Sequence, residues 1–110
     1  MTEFIEAEAT IRPSKMNKLE TQYAEHLEME RRAGEIKWWA FETVKLRLAD
    51  ATFYTPDFAV VGKDSKLAFH EVKGYWHDDA RVKVKVAAET FPAKFVAVKL
   101  GKRGWEFEEF

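Results

Sequence analysis

The tightest constraint on this chain of 110 residues is a run from Tyr54 to Lys73 that sets charge where the core of a sheet is expected. It reads Tyr54-Thr55-Pro56-Asp57-Phe58-Ala59-Val60-Val61, turns through the polar Gly62 to Lys66, and resumes as Leu67-Ala68-Phe69-His70-Glu71-Val72-Lys73-Gly74. Strand side chains alternate between faces, so Leu67, Phe69, Glu71 and Lys73 share one face and Ala68, His70 and Val72 the other. An ionised carboxylate taken from water without a partner costs roughly several kcal/mol, a penalty that a bound cation offsets. Pro56 lacks the N–H that a ladder needs, so the run should distort or lie at an edge there. A hairpin through Gly62 to Lys66 then brings Asp57 and Glu71 from neighbouring strands onto one divalent ion. Magnesium, with manganese as a substitute, suits two carboxylates, the backbone carbonyl of Val72 and retained waters.

The flanking segments supply the remaining elements. Ser14 is the expected N-cap and Gly34 the stop of a helix over 15–33, with Arg31 and Arg32 complementing its dipole. Its apolar stripe is Met16, Leu19, Tyr23, Ala24 and Leu27. At about 100° per residue, Glu20 falls inside that stripe, whereas Glu25 and Glu28 point away. Glu20 is either a glutamate snorkelling at the margin or a third carboxylate facing the sheet; beside Asp57 and Glu71 we take the second.

Ile36 to Leu48 alternates as a strand and should pair with 53–61 in a hairpin around Ala49 to Thr52. Trp38 and Trp39 cannot share a face, which puts one in the core and the other at a dimer or DNA surface. Val82-Lys83-Val84-Lys85-Val86 has the period of a strand. A cap at Asp78 or Asp79, the alanines that follow and the need for a crossover nevertheless predict a helix over 80–90, with Val82, Val86 and Ala87 inward. Arg81 and Lys85 share one side of it and Lys83 another. Tyr75 and Trp76, in the loop leaving the acidic run, can stack on an unpaired base, or Trp76 can cover the core. His26 and His70 show no ligand spacing and read as structural. Lys94 to Leu100 and Trp105 to Phe110 read as closing strands about a Gly101 to Gly104 turn, and residues 1–13 as an arm or an added edge strand.

Length fits a single domain over 1–110. The absence of cysteine excludes disulfides and thiolate zinc sites. With no apolar run of membrane length and no signal peptide, a cytoplasmic location is expected, the host cytoplasm if the gene is phage-borne. The net charge of −1 says little, but its distribution says more. Glutamates crowd the first third, while Arg81, Lys83, Lys85, Lys94, Lys99, Lys102 and Arg103 crowd the last.

The proline-led Asp57, the later Glu71-Val72-Lys73, Lys18-Leu19-Glu20 in the first helix and Gly74 before a basic helix together resemble the PD-(D/E)XK nuclease signature. Residues 14 to 100 are similar to short phage and prophage endonucleases of that superfamily, some of which act on branched DNA such as Holliday junctions. The resemblance implies an α/β fold with a restriction-endonuclease-like core, in the order αβββαβ, with a mixed central sheet flanked by helices. It also implies a magnesium-dependent DNA endonuclease acting as a homodimer. In it Asp57 and Glu71 hold the metal, Glu20 completes the cage, and Lys73 orients or deprotonates water. Lys15, Lys18, Tyr75, Trp76, Arg81, Lys83 and Lys85 are the expected DNA contacts. A non-catalytic DNA-binding module on the same fold and a small protein-interaction domain are the alternatives. No phosphate-cradling glycine loop, serine nucleophile elbow or His-Glu-x-x-His helix is present, so small-molecule cofactor chemistry is not expected.

Overall fold

The computed structural model describes residues 15–110, so the expected arm over 1–13 and the Ser14 cap lie outside the described residues. Helix α1 spans Lys18–Arg32. It starts later than periodicity suggested because Asn17 caps it: the Asn17 side chain accepts the Glu20 N–H at 2.7 Å, and Glu20 Oε1 accepts the Asn17 N–H at 2.9 Å. That reciprocal pair satisfies two otherwise orphaned donors. The helix stops where expected. Gly34 adopts φ +80, with Gly34 N–H donating to Arg31 O at 3.1 Å and Glu35 N–H to Glu30 O at 2.9 Å, the two bonds of a Schellman motif.

The strands are β1 (Ile36–Phe41), β2 (Leu46–Ala49), β3 (Thr52–Tyr54), β4 (Phe58–Gly62) and β5 (Leu67–Val72). Helix α2 (Asp78–Thr90), β6 (Lys94–Gly101) and β7 (Gly104–Glu109) complete the order. The strand expected over 36–48 is broken in two, since Glu42 turns to φ +49 and 43–45 leave the ladder. Its partner is broken too, at Thr55-Pro56-Asp57, where proline removes a donor. One long hairpin thus becomes two ladders, β1 with β4 and β2 with β3, joined by a Glu42 N–H to Asp57 O bond of 2.8 Å.

The main sheet has the order β1-β4-β5-β6-β7, and β2-β3 stands apart as a two-stranded sheet. Among the described strands only β5 and β6 run parallel, and α2 is the crossover that such a pair needs. The described residues are therefore α/β with a mixed five-stranded sheet and two helices, and among them α1, β1, β4, β5, α2 and β6 follow the expected order.

A core lies on each face. Under α1, Tyr23, Leu27, Phe41, Phe58, Val72 and Val98 pack together; under α2 and the β2-β3 hairpin, Leu46, Tyr54, Phe69, Val84, Ala87 and Phe95 do so. Fully buried side chains such as Leu27 and Phe58 each contribute about 1.5–3 kcal/mol by leaving water. Trp39 joins the first core and Trp38 the second, so neither is the free surface tryptophan expected. Glu28 does not point away either: it accepts the Trp39 indole N–H at 3.0 Å and pairs with Arg31 and Arg32. On α2 the buried valine is Val84, while Val82 and Val86 are 57% and 38% exposed. The inward stripe is Val84, Ala87 and Phe91, not Val82 and Val86. The N-cap of α2 is His77, whose side chain makes no capping bond, while Asp79 in the first turn accepts the Ala80 N–H at 3.0 Å. Among the described residues no helix is long and apolar enough to cross a membrane.

Candidate functional site

Antiparallel pairing sets Phe58, the first residue of β4, opposite His70 of β5, which brings Asp57 beside Glu71. These are the buried charged residues among those described, 6% and 7% exposed. Each carboxylate braces the other's backbone. Asp57 Oδ2 accepts the Val72 N–H at 2.9 Å, and Glu71 Oε1 accepts the Asp57 N–H at 3.1 Å. Tyr54, from β3, donates its hydroxyl to the same Glu71 Oε1 at 2.7 Å. Glu71 Oε2 is left to Lys73, whose Nζ lies 3.4 Å away with about a third of that side chain exposed. One oxygen of each acid is thus pinned by backbone, Glu71 Oε2 faces the Lys73 ammonium, and Asp57 Oδ1 takes no part in these bonds.

Burial, followed by the charge of Glu71, pushes the Asp57 carboxyl up to about 8, with Glu20 adding to the rise and the Val72 N–H and Lys73 opposing it. Burial also raises Glu71, against the Tyr54 hydroxyl, Lys73 and the Asp57 N–H. The Tyr54 hydroxyl is itself held well above its usual range by burial and by Glu71, so it stays a donor. Both acids resist ionising together, the signature of a pair that wants positive charge.

Glu20 is near enough to disturb Asp57, since the first turn of α1 packs by the end of β5, where Leu19 approaches Gly74. Its carboxylate is nevertheless engaged at Asn17. Among the described residues no group of three or more His, Asp or Glu side chains is arranged to hold a metal ion. Two carboxylates with the Val72 carbonyl beside them still fit magnesium, which commonly takes one or two carboxylates and fills its shell with water and phosphate oxygens. The donor set is all oxygen, and its raised proton affinities are what a hard cation relieves.

The expected DNA contacts divide into two groups. Lys15, Lys18, Lys83 and Lys85 are exposed, and Tyr75 is 74% exposed. Trp76 instead covers core, tilted against Phe110 at 5.9 Å. Arg81 is occupied: it lies over the Trp76 and Phe110 rings at 5.5 and 5.1 Å and pairs with Glu108 at 3.0 Å. His70 is structural as expected, its Nδ1 hydrogen-bonded to the Tyr23 hydroxyl at 2.6 Å. Tyr54 was not singled out from sequence, although a tyrosine facing inward needs a partner for its hydroxyl, and the nearest acids in sequence are Asp57 and Glu71.

Two hollows lie away from the acids. One of about 900 Å³ is bordered by Ile36, His70, Phe91 and Lys94, and one of about 480 Å³ lies between α2 and β7. Neither hollow is lined by Asp57 or Glu71, so the candidate site is the pinned pair of carboxylates and not these hollows. No protein-family model matches the chain, and neither does any curated protein or solved structure.

Proposed function

We propose that the chain is a magnesium-dependent DNA endonuclease with a restriction-endonuclease-like core, acting as a homodimer on branched DNA such as a Holliday junction. The observation that carries this reading is the interlock of Asp57 with Glu71 beside an amine. Two acids are buried within one hydrogen-bond network, one oxygen of each is fixed by backbone, and Lys73 stands at the remaining Glu71 oxygen. Asp57, Glu71 and the Val72 carbonyl would hold the ion. Bound there, magnesium supplies Lewis-acid polarisation of the phosphate and lowers the pKa of a coordinated water.

The protein's own part is positioning. The Val72 N–H and the Tyr54 hydroxyl hold the carboxylates so that neither has to reorganise on binding. Lys73 Nζ reaches both Glu71 Oε2 and solvent, which places it to orient the attacking water and to balance charge on the phosphate oxygens. Branched substrate and dimer extend the reading from family resemblance and from the small footprint of a chain this size.

A non-catalytic DNA-binding module is the second reading. It is favoured by the engagement of Glu20 at Asn17, which leaves two acids rather than three at the site. Incubation with supercoiled plasmid, linear duplex, single strands and a four-way junction, with and without magnesium or manganese, separates the two. Metal-dependent cutting that Asp57→Ala or Lys73→Ala abolishes is the expected result. Binding without cutting in either metal leaves the second reading.

A further inference from the structure

We propose that the outer face of the β2-β3 hairpin, with Lys83 of α2, is a docking surface for a nucleic-acid strand, its phosphates meeting Lys45 and Lys83 and a base lying on Phe53. The proposal rests on the nuclease reading and adds to it the element that holds the substrate. The hairpin is its own two-stranded sheet, with Leu46 and Tyr54 buried on its inner side. On the outer side are Lys45, Arg47 and Phe53.

Phe53 is 42% exposed, and packing within the chain does not account for it. Its ring carries the Lys45 ammonium 4.5 Å from its centre, and its carbonyl lies 3.4 Å from Lys83 Nζ. Neither lysine is paired with a carboxylate among the described residues, whereas Arg47 has Asp50 at 3.4 Å. Two ammonium groups without a carboxylate partner among the described residues, beside a partly exposed ring, match what a nucleic-acid strand offers: anionic oxygens at regular spacing and bases with a stacking face. An acidic peptide would answer the two lysines alone, whereas a nucleic-acid strand answers the lysines and the ring.

Position ties this surface to the carboxylates. Phe53 and Tyr54 are consecutive in β3, so their side chains leave on opposite sides. While Phe53 faces solvent, the Tyr54 hydroxyl reaches Glu71. The proposed surface is therefore the outside of the wall whose inside is the candidate site.

The test is equilibrium binding of the full chain to fluorescent single strands and a four-way junction, in calcium and over a series of salt concentrations. Lys45→Ala with Lys83→Ala should weaken binding about tenfold at 0.1 M salt and reduce the slope of log K against log salt by about 2, close to one unit per lost phosphate contact. Lys45→Arg with Lys83→Arg should restore the slope, which a purely structural role would not require. Phe53→Ala should weaken single-strand binding by several-fold while leaving the slope unchanged. If the wild-type chain binds and the alanine pair keeps its affinity and slope, this inference is overturned and the nuclease reading stands. If the wild-type chain binds none of these DNAs, the nuclease reading falls and the docking surface with it.

Discussion

Two neighbours on β5 each meet a tyrosine, on opposite faces of the sheet. His70 Nδ1 is 2.6 Å from the Tyr23 hydroxyl under α1, and Glu71 Oε1 is 2.7 Å from the Tyr54 hydroxyl on the α2 side. Burial drives both toward their neutral forms, lowering His70 to about 4 and raising Glu71. For His70 that is an end state. Rings surround the pair, Tyr23 lying 5.4 Å from Phe58 and 5.0 Å from Trp105, and a neutral imidazole with one hydrogen bond is content among them. Glu71 has a second acid beside it, so its neighbourhood can be neutralised by a shared proton or by a cation. A buried tyrosine bond does not make a site; the adjacent acid does.

The comparison can be broken most sharply by cleavage. On the proposed reading, Glu71→Gln should lower the magnesium-dependent rate on a four-way junction by about 10³-fold or more, since it removes a charge that would hold the ion. His70→Gln, one residue away, should leave the rate within a few-fold. Equal losses would mean that the two faces do not differ in kind.

Proton linkage should separate them next. Asp57 keeps its proton up to about 8 in the folded chain, against 3.8 for an ordinary aspartate. Its contribution to stability is therefore full at low pH and is lost as pH rises through 8. For His70, whose ordinary value is 6.5 and whose folded value is about 4, the contribution is full above 6.5 and lost as pH falls through 4. The slopes oppose one another below pH 6.5, and only the carboxylate slope remains above it. Without metal, stability should fall by on the order of 2 kcal/mol between pH 6.5 and 8, measured by chemical denaturation. Saturating magnesium should flatten the fall.

The smallest effect is on melting. At pH 8 without metal, Glu71→Gln should raise Tm by about 4 °C, because it relieves repulsion while an amide oxygen can still accept from Tyr54 and Asp57. Tyr23→Phe should lower Tm, as loss of one hydrogen bond is worth roughly 1 kcal/mol. A lowered value for Glu71→Gln would argue against a crowded acidic pair.

The acidic pair was legible because strand alternation is a local rule: Phe69 and Glu71 do face α2, and His70 and Val72 face α1. Glu20 was harder. Its angle around the helix brings it near enough to act on Asp57, but its distance from the helix start decides its first partner, and Asn17-Lys18-Leu19-Glu20 carries the spacing of a capping box. The break at 42–45 left no mark in the sequence, since Val44, Leu46 and Leu48 keep the alternation while the backbone turns at Glu42. On α2, alternating valines offer two candidate faces, and contact with Leu46, Tyr54 and Phe95 selects Val84. That choice belongs to tertiary packing and cannot be read from the helix itself.

Every group that braces the candidate site, from the Tyr54 hydroxyl to the Lys73 amine, comes from one uninterrupted stretch of chain. Pairing β4 with β5 closes only a short loop, whereas joining β5 to β6 must wait for the whole of α2. Loop-closure entropy favours the shorter connection. On that ground the two acids can meet before the second helix docks, with the Lys73 ammonium of the same stretch as their nearest counter-charge.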